Sequence, residues 1–156
     1  MATSAIPASI DYLVATAESL PECAAPVRVF DGWPDARADV ALAIGVTPED
    51  SATEDGVTHG NLGAQTQWED FTIPCIIWCR KVGGGAMKTA RDGAFVILNA
   101  LDTHLRSHRD LGGALRSGTA IATNVVIRQT DTAEEAGDGR VCEIHFDVLC
   151  RSRSAA

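Results

Sequence analysis

The sequence predicts a single α+β domain, residues 1–156, in which two main helices cover one face of a mostly antiparallel or mixed sheet of about five strands. Apolar residues recur with helical spacing in two segments, and five other segments are predicted to be strands, four of them with apolar residues that alternate with period two. No internal repeat or change of composition marks a domain boundary, and 156 residues suffice for one core.

The first helix is predicted from about Pro7 to Leu20. Pro7 suits the first turn of a helix, and Pro21 ends the pattern. The apolar positions that share one helical face are Ile10, Leu13, Val14, Ala17 and Leu20. This face is expected to pack on the sheet.

Two short strands follow, in "VRVFDG" (27–32) and "DVALAIGV" (39–46). Val27 and Val29 share one face of the first strand. The connection "DGWPDA" is rich in turn residues, so the two strands are predicted to form an antiparallel pair.

Residues 47–70 are predicted to form a long, mobile, acidic loop. They contain six acidic residues and no Lys or Arg, and they hold too few apolar side chains to offset the entropy of ordering. One interpretation is a solvated, disordered loop; the other is an interaction arm that becomes ordered on assembly. The second interpretation predicts the interface residues Glu49, Asp50, Glu54, Asp55, His59, Trp68, Glu69 and Asp70.

A strongly apolar strand is predicted from Phe71 to Arg80. Its residues Phe71, Ile73, Cys75, Ile77 and Cys79 share one face. Pro74 cannot donate to a ladder, which predicts an edge position or a bulge. Four strand residues span about 13 Å, so Cys75 and Cys79 cannot share a metal ion or form a disulfide. Both thiols are therefore expected to pack in the core.

A glycine turn, "VGGGAM", leads into a helix predicted from about Ala86 to Ser107. The turn does not match the phosphate-loop pattern, because that pattern requires a glycine immediately before the lysine and Met87 stands before Lys88. Two strands, "ATNVVIRQT" and "RVCEIHFDVLCR", are predicted to close the chain, and Asp138-Gly139 between them is a hairpin signal.

Three histidines are the candidates for a catalytic or metal-binding site. His104 and His108 are four residues apart on a helix, but the residue after His104 is not the Glu of the zincin pattern and the surroundings are cationic. They are interpreted as a solvated helix end. His145 shares a strand face with Glu143 and Asp147, which predicts a solvent or interface side. The sequence thus predicts no enzyme, no catalytic or metal-binding residues and no cofactor.

The net charge is -8 and the sequence pI is near 4.8. This balance argues against sequence-independent nucleic-acid binding, which needs Lys and Arg for phosphate contacts. No charged leader or membrane-length apolar run is visible, and the five cysteines indicate reduced thiols in a cytosol.

Several segments together resemble the tail terminator proteins of long-tailed, siphovirus-type bacteriophages, especially those of actinobacteria. They are "SIDYLVATAESL", "VRVFDGWPD", "DVALAIGV", "WEDFTIPCIIWCRKVGGG", "ARDGAFVILNALDTHLRSHRDLGG" and "ATNVVIRQTDT…GRVCEIHFDVLCRS". The resemblance covers most of the chain and is one of hydrophobic patterns and turns.

The resemblance implies a structural virion protein that forms a hexameric ring at the head-proximal end of the tail, after assembly in the host cytoplasm. Such a ring caps the tail tube, stops its polymerisation and contacts a head-completion protein, while DNA passes through the lumen without specific binding. The alternatives are a head–tail stopper or other neck connector and, from another class, a small cytosolic ligand- or metal-binding domain.

Overall fold

The computed structural model describes residues 4–46, 68–132 and 139–153. The elements in these ranges are α1 (Ile6–Ser19), the 3-10 helix Pro21–Cys23, β1 (Arg28–Asp31), β2 (Val40–Ile44), β3 (Trp68–Val82), α2 (Ala86–Ser107), β4 (Thr119–Thr132) and β5 (Gly139–Arg153). The predicted α+β class, with two main helices and five strands in one sheet, is confirmed. Residues 47–67 of the predicted loop and Asp138 of the hairpin signal lie outside the described residues.

The five strands form one mixed sheet in the order β1-β2-β3-β5-β4. β3 pairs antiparallel with both β2 and β5, and β5 pairs antiparallel with β4. The β3–β5 pairing runs from Trp68 opposite Arg153 to Val82 opposite Gly139. These two long strands form the centre of the sheet, and β1 and β4 are its edges.

The pairing of β1 with β2 is parallel, so the predicted antiparallel pair is wrong. Arg28 lies opposite Ala41 and Asp31 opposite Ile44. An antiparallel hairpin would need only a short turn, whereas here the connection crosses one face of the sheet. Ala38 of this connection packs beside Trp78, whose indole N–H donates to the Ala38 carbonyl at 2.9 Å. That contact, forty residues away in sequence, is invisible to a local turn pattern.

Both helices pack on the same face of the sheet and enclose the main core. Leu13 and Ala17 of α1 are fully buried, as their spacing predicted. The buried strand residues of this face are Val40, Leu42, Ile44, Phe71, Ile73, Cys75, Ile77, Cys79, Cys142, Ile144, Phe146, Val148 and Cys150. The predicted core roles of Cys75 and Cys79 are thereby confirmed. Neither helix of the described ranges is long and apolar enough to span a membrane.

Pro74 was predicted to lie at an edge position or at a bulge; it lies in the central strand β3, so the edge position is wrong and only the second alternative stays open. The strand tolerates it because β2 ends beside it: Ile44, the last residue of β2, is opposite Cys75. The Pro74 carbonyl accepts the N–H groups of both Gly45 and Val46, at 2.8 and 2.9 Å. The missing N–H of the proline therefore falls where the β2 ladder has already become irregular.

The predicted loop also ends too late, because Trp68, Glu69 and Asp70 belong to β3. They pair in register with the last three residues of β5, from Arg153 to Arg151. Acidic composition placed these residues in a loop, but their backbone groups join the ladder and their side chains remain only partly buried. Ladder pairing with a distant strand decided their conformation.

Candidate interaction surface

The face of the sheet opposite the helices is covered only in part. On the β1–β3 half, the Phe30 and Trp78 rings stack with centroids 6.3 Å apart. They help to bury Ala41 and Ala43 beneath them. This small second core includes Ile76 and closes that half of the face.

The β5–β4 half of the same face has no such cover in the described ranges. Leu149 and Ile121 lie opposite each other on β5 and β4, with 44% and 49% of their surfaces exposed. Val126 follows on β4, opposite His145, and is 51% exposed. Single exposed apolar residues are ordinary, but a facing pair with a third apolar residue on the same sheet face, beyond Thr123 and Asp147, marks a candidate interaction surface. We call Leu149, Ile121 and Val126 the apolar strip.

A polar row runs along this half of the face, as the alternation in the last strand predicted. The His145 Nε2 atom lies 3.1 Å from a Glu143 carboxylate oxygen. The Asn124 amide donates to the Asp147 carboxylate at 3.0 Å, at a register shift of β4 where Asn124 has a φ of 53°. His145 is more buried than a solvated histidine would be, with 15% of its side chain exposed. The row therefore serves partly as packing between β3 and β4.

The apolar strip is bordered at one end of the sheet by a cluster of Trp68, Asp70 and Arg151, which we call the Trp68 cluster. The Arg151 guanidinium lies 4.6 Å from the centroid of the Trp68 ring, and its Nε atom is 3.4 Å from an Asp70 carboxylate oxygen. Asp70 and Arg151 are directly opposite each other in the ladder. Tryptophan and arginine are the residues that most often dominate protein interfaces.

The structure divides the predicted interface residues between two faces. Trp68 and Asp70 lie together on the open face, whereas Glu69 points to the helix side and contacts the start of α1. The others that were predicted, Glu49, Asp50, Glu54, Asp55 and His59, lie outside the described residues. Sequence reasoning missed Arg151, Ile121, Val126 and Leu149 as members of the surface. The signal for Leu149 was present, since it interrupts the polar row of the last strand.

Glu69 satisfies free donors at the N-terminus of α1. Its carboxylate accepts the Ala5 backbone N–H at 2.9 Å and also contacts the Ser4 hydroxyl. α1 has no side-chain cap of its own, because Ala5 occupies the N-cap position. A carboxylate from β3 therefore accepts the N–H of the N-cap residue, as the glutamate of a capping box does, and lies at the positive end of the helix dipole.

Glu69→Ala is expected to lower the free energy of unfolding by about 1–2 kcal/mol, the range of a lost helix cap. Urea denaturation followed by circular dichroism measures this loss. Asp70→Ala is the control, because the exposed pair that it breaks with Arg151 contributes about 1 kcal/mol or less. Equal effects of the two substitutions would contradict the capping role of Glu69.

A second polar cluster lies where α1 meets the end of α2. The Tyr12 hydroxyl and His104 Nε2 are 2.9 Å apart, and the His104 and His108 rings stack with centroids 4.2 Å apart. The Tyr12 contact already occupies one ring nitrogen of His104. In the described ranges, no three His, Cys, Asp or Glu side chains are placed to hold a metal ion together.

Partial burial, followed by the charge of His108, lowers the pKa of His104. As the pH falls toward the ordinary histidine pKa of about 6.5, the His104 imidazole is protonated more readily in the unfolded chain than in the native protein. The free energy of unfolding is therefore expected to fall as the pH drops from 7.5 to 5.5. In the same urea titrations, His104→Gln should show a smaller fall, and an unchanged fall would contradict this assignment.

The five cysteines are buried and free. Burial raises the pKa of Cys75 and of Cys150 to about 12, and that of Cys23 to about 11 with a further contribution from Glu22. A thiol in this state is a poor nucleophile and a poor metal ligand at neutral pH. The cysteines therefore act as small apolar side chains.

The negative charge is concentrated in two segments. Residues 47–67 and residues 131–138 each contain four acidic residues and no Lys or Arg. The remainder of the chain holds 13 acidic and 13 basic residues. The body that carries the apolar strip is therefore balanced in formal charge.

No protein-family model matches this sequence, and no curated protein matches it at a significant level.

Proposed function

We propose that this protein is a structural subunit of a bacteriophage tail: a ring-forming tail terminator that caps the tail tube and joins it to the neck proteins. The observation that carries the proposal is the uncovered β5–β4 half of the sheet. It presents Leu149, Ile121 and Val126 beside the Trp68 cluster. An exposed apolar strip next to an arginine and a tryptophan is the composition of a protein interface.

Further support comes from the sheet edges. Within the described ranges β1 and β4 each have one unpaired side. A ring of identical subunits uses two different surfaces of each subunit, one for each neighbour. A sheet with one uncovered half-face and two distinct edges supplies such a pair of surfaces.

The charge distribution bears on the passage of DNA through the proposed ring. Acidic residues that face a lumen repel the phosphate backbone and prevent sticking. In this chain such repulsion rests on residues 131–138, because the first acidic segment is assigned to contacts between subunits and the remainder is balanced in formal charge. The predicted role of the first segment as an arm toward neighbouring subunits stays part of this proposal.

A head–tail stopper or another neck connector would use the same kinds of surface and is the second candidate. A small metal-binding domain is less well supported, since Tyr12 already occupies His104 and the thiols are buried. Elemental analysis of the purified protein tests that third possibility: stoichiometric zinc that is lost in His104→Ala would contradict the structural role.

The proposed function predicts rings in electron micrographs of the purified protein and a ring-sized mass by size exclusion with light scattering. Leu149→Asp is expected to abolish ring formation, because it places an unpaired carboxylate in the apolar strip. Its stability should change little, since Leu149 is 44% exposed.

Val96→Asp is the matched control, because Val96 is a similarly exposed apolar residue on α2, away from the sheet face. Val96→Asp should form rings like the native chain. A native chain that is strictly monomeric at high concentration and absent from purified virions would refute the proposal. Labelling of the protein at the head-proximal end of intact tails would separate a terminator from a stopper inside the neck.

A further inference from the structure

A cleft of about 210 Å³ lies between the end of α2 and the β4 edge; we call it the β4 cleft. Its walls are formed by Asp102, Leu105, Arg106, Arg109, Ala120, Ile121 and Ala122. The side chains of Ala120 and Ala122 are small, so the space beside the strand is left open.

The backbone of β4 offers hydrogen-bonding groups to this cleft. The Ala120 N–H points away from β5 but is already occupied, because it donates to the Arg109 carbonyl of the same chain at 2.7 Å. Because alternate strand residues direct their backbone groups to the same side, the N–H and C=O of Ala122 also face outward. No strand of the described ranges pairs with this side of β4. Such an edge is a template for strand addition.

The charges around the β4 cleft are mainly positive. Arg106 and Arg109 line it, whereas Arg91 is outside the lining, near the start of α2, where its guanidinium donates to the Gln129 side chain at 3.3 Å. Asp102 is the acidic residue of the lining, and it pairs with Arg106 at 2.8 Å. Between residues 119 and 130 the strand itself carries one charged residue, Arg128. A basic cleft beside a nearly uncharged edge fits an extended, acidic segment.

This chain contains a segment of that composition. Residues 47–67 hold four acidic residues and no Lys or Arg over 21 positions. If half of that length is extended, the segment reaches about 30 Å from its attachment to β2 and β3. The acidic residues at 131–138 are attached instead to β4 itself, by a connection of six residues between the paired Thr132 and Gly139.

We infer that the β4 cleft binds the acidic segment 47–67 of a second copy of this chain, by strand addition along the β4 edge and by ion pairs with Arg106 and Arg109. This inference rests on the proposed function, because a ring places the same two surfaces of neighbouring subunits in contact. In such a ring, this contact joins each subunit to the next.

A charge exchange between two full-length variants tests this contact. The first variant carries Arg106→Glu and Arg109→Glu, and the second carries Glu49→Lys, Asp50→Lys, Glu54→Lys and Asp55→Lys. Each variant alone is expected to need at least a tenfold higher concentration than the native chain to associate. An equal mixture should associate again, since each cleft then meets a segment of opposite charge.

Light scattering after size exclusion measures association, and circular dichroism establishes that each variant is folded. Arg37→Glu with Lys88→Glu is the control for the first variant; it also reverses two charges, on exposed residues that do not line the cleft. This control should associate like the native chain. Association of the native chain should also weaken between 0.05 and 0.5 M salt, because exposed ion pairs are screened.

Two results would overturn the inference. Rings formed by each variant alone, as by the native chain, would leave the proposed function standing without this contact. Association that returns only when both sets of substitutions are placed in one chain, and not in the mixture, would mean that the segment binds its own subunit. A native chain that never associates would instead refute the proposed ring itself, and it is measured first.

Discussion

Gly118→Ala is expected to lower the free energy of unfolding by about 3 kcal/mol or more, the largest effect that we predict for a single methyl group. Gly118 directly precedes β4, and a Cβ at this position would lie 1.8 Å from the Arg151 carbonyl oxygen. It would also lie 2.8 Å from the carbonyl carbon of the same residue. Both are backbone atoms of β5, so no side-chain rotation relieves the clash. The start of β4 must then move away from β5.

Urea denaturation of Gly118→Ala and of the native protein measures this difference in the free energy of unfolding. Gly84→Ala is the matched control, because a Cβ on Gly84 meets no atom within 4 Å. It should change the free energy of unfolding by about 0.5 kcal/mol or less, as exposed substitutions usually do. Equal stabilities of Gly118→Ala and Gly84→Ala would show that β4 does not approach β5 as described.

Cys75→Ser is expected to lower the free energy of unfolding by about 1–3 kcal/mol, because it places a hydroxyl in the apolar helix-facing side of β3. Cys75 is 1% exposed, and its thiol makes only a weak contact of 3.6 Å with the Ile73 carbonyl. Its neighbours across the ladder are apolar, with Phe146 directly opposite. The hydroxyl loses its hydration and gains little in return.

Cys75→Ala separates the polar effect from the loss of volume, and it should be the less destabilising of the two substitutions. Thiol titration with a colourless aromatic disulfide gives an independent measurement: the native protein should react slowly, and all five thiols should react after unfolding. Unchanged stability of Cys75→Ser together with a lost redox or metal-binding activity would overturn the assignment of Cys75 to the core.

Much of the fold was predictable because each strand and helix carries its own repeat. The period of two in Phe71–Arg80 identified the helix-facing side of β3, and Cys75 and Cys79 followed from it. The spacing of Leu13 and Ala17 identified the buried side of α1 in the same way. A strand buries every second side chain and a helix buries every third or fourth, so a short stretch of sequence is enough to identify the buried side.

The errors arose where a distant partner outweighed a local preference. The indole of Trp78 binds the β1–β2 connection, and β1 runs parallel to β2. Pro74 occupies a central strand because β2 ends beside it. The residues from Trp68 to Asp70 join a ladder with β5 in spite of their acidic composition. None of these neighbours is near in sequence, so no window of residues contains the information.

The candidate surface shows the same division. Composition singled out Trp68 and Asp70, but the face that they share with Arg151 depends on a pairing across some eighty residues of chain. Composition grouped Glu69 with these two residues. The alternation of the strand separates it from them, because the Glu69 side chain lies on the other face and contacts the start of α1.

The sequence by itself determined the number and kind of elements, the side that each buries, and the concentration of negative charge in two segments. Only the tertiary structure decided the direction of β1, the half of the sheet that stays uncovered, and the position of the arginines beside the open edge of β4. The physical reason is the range of the interactions: periodic burial acts within one element, whereas strand pairing and surface clusters join residues that are far apart in the chain.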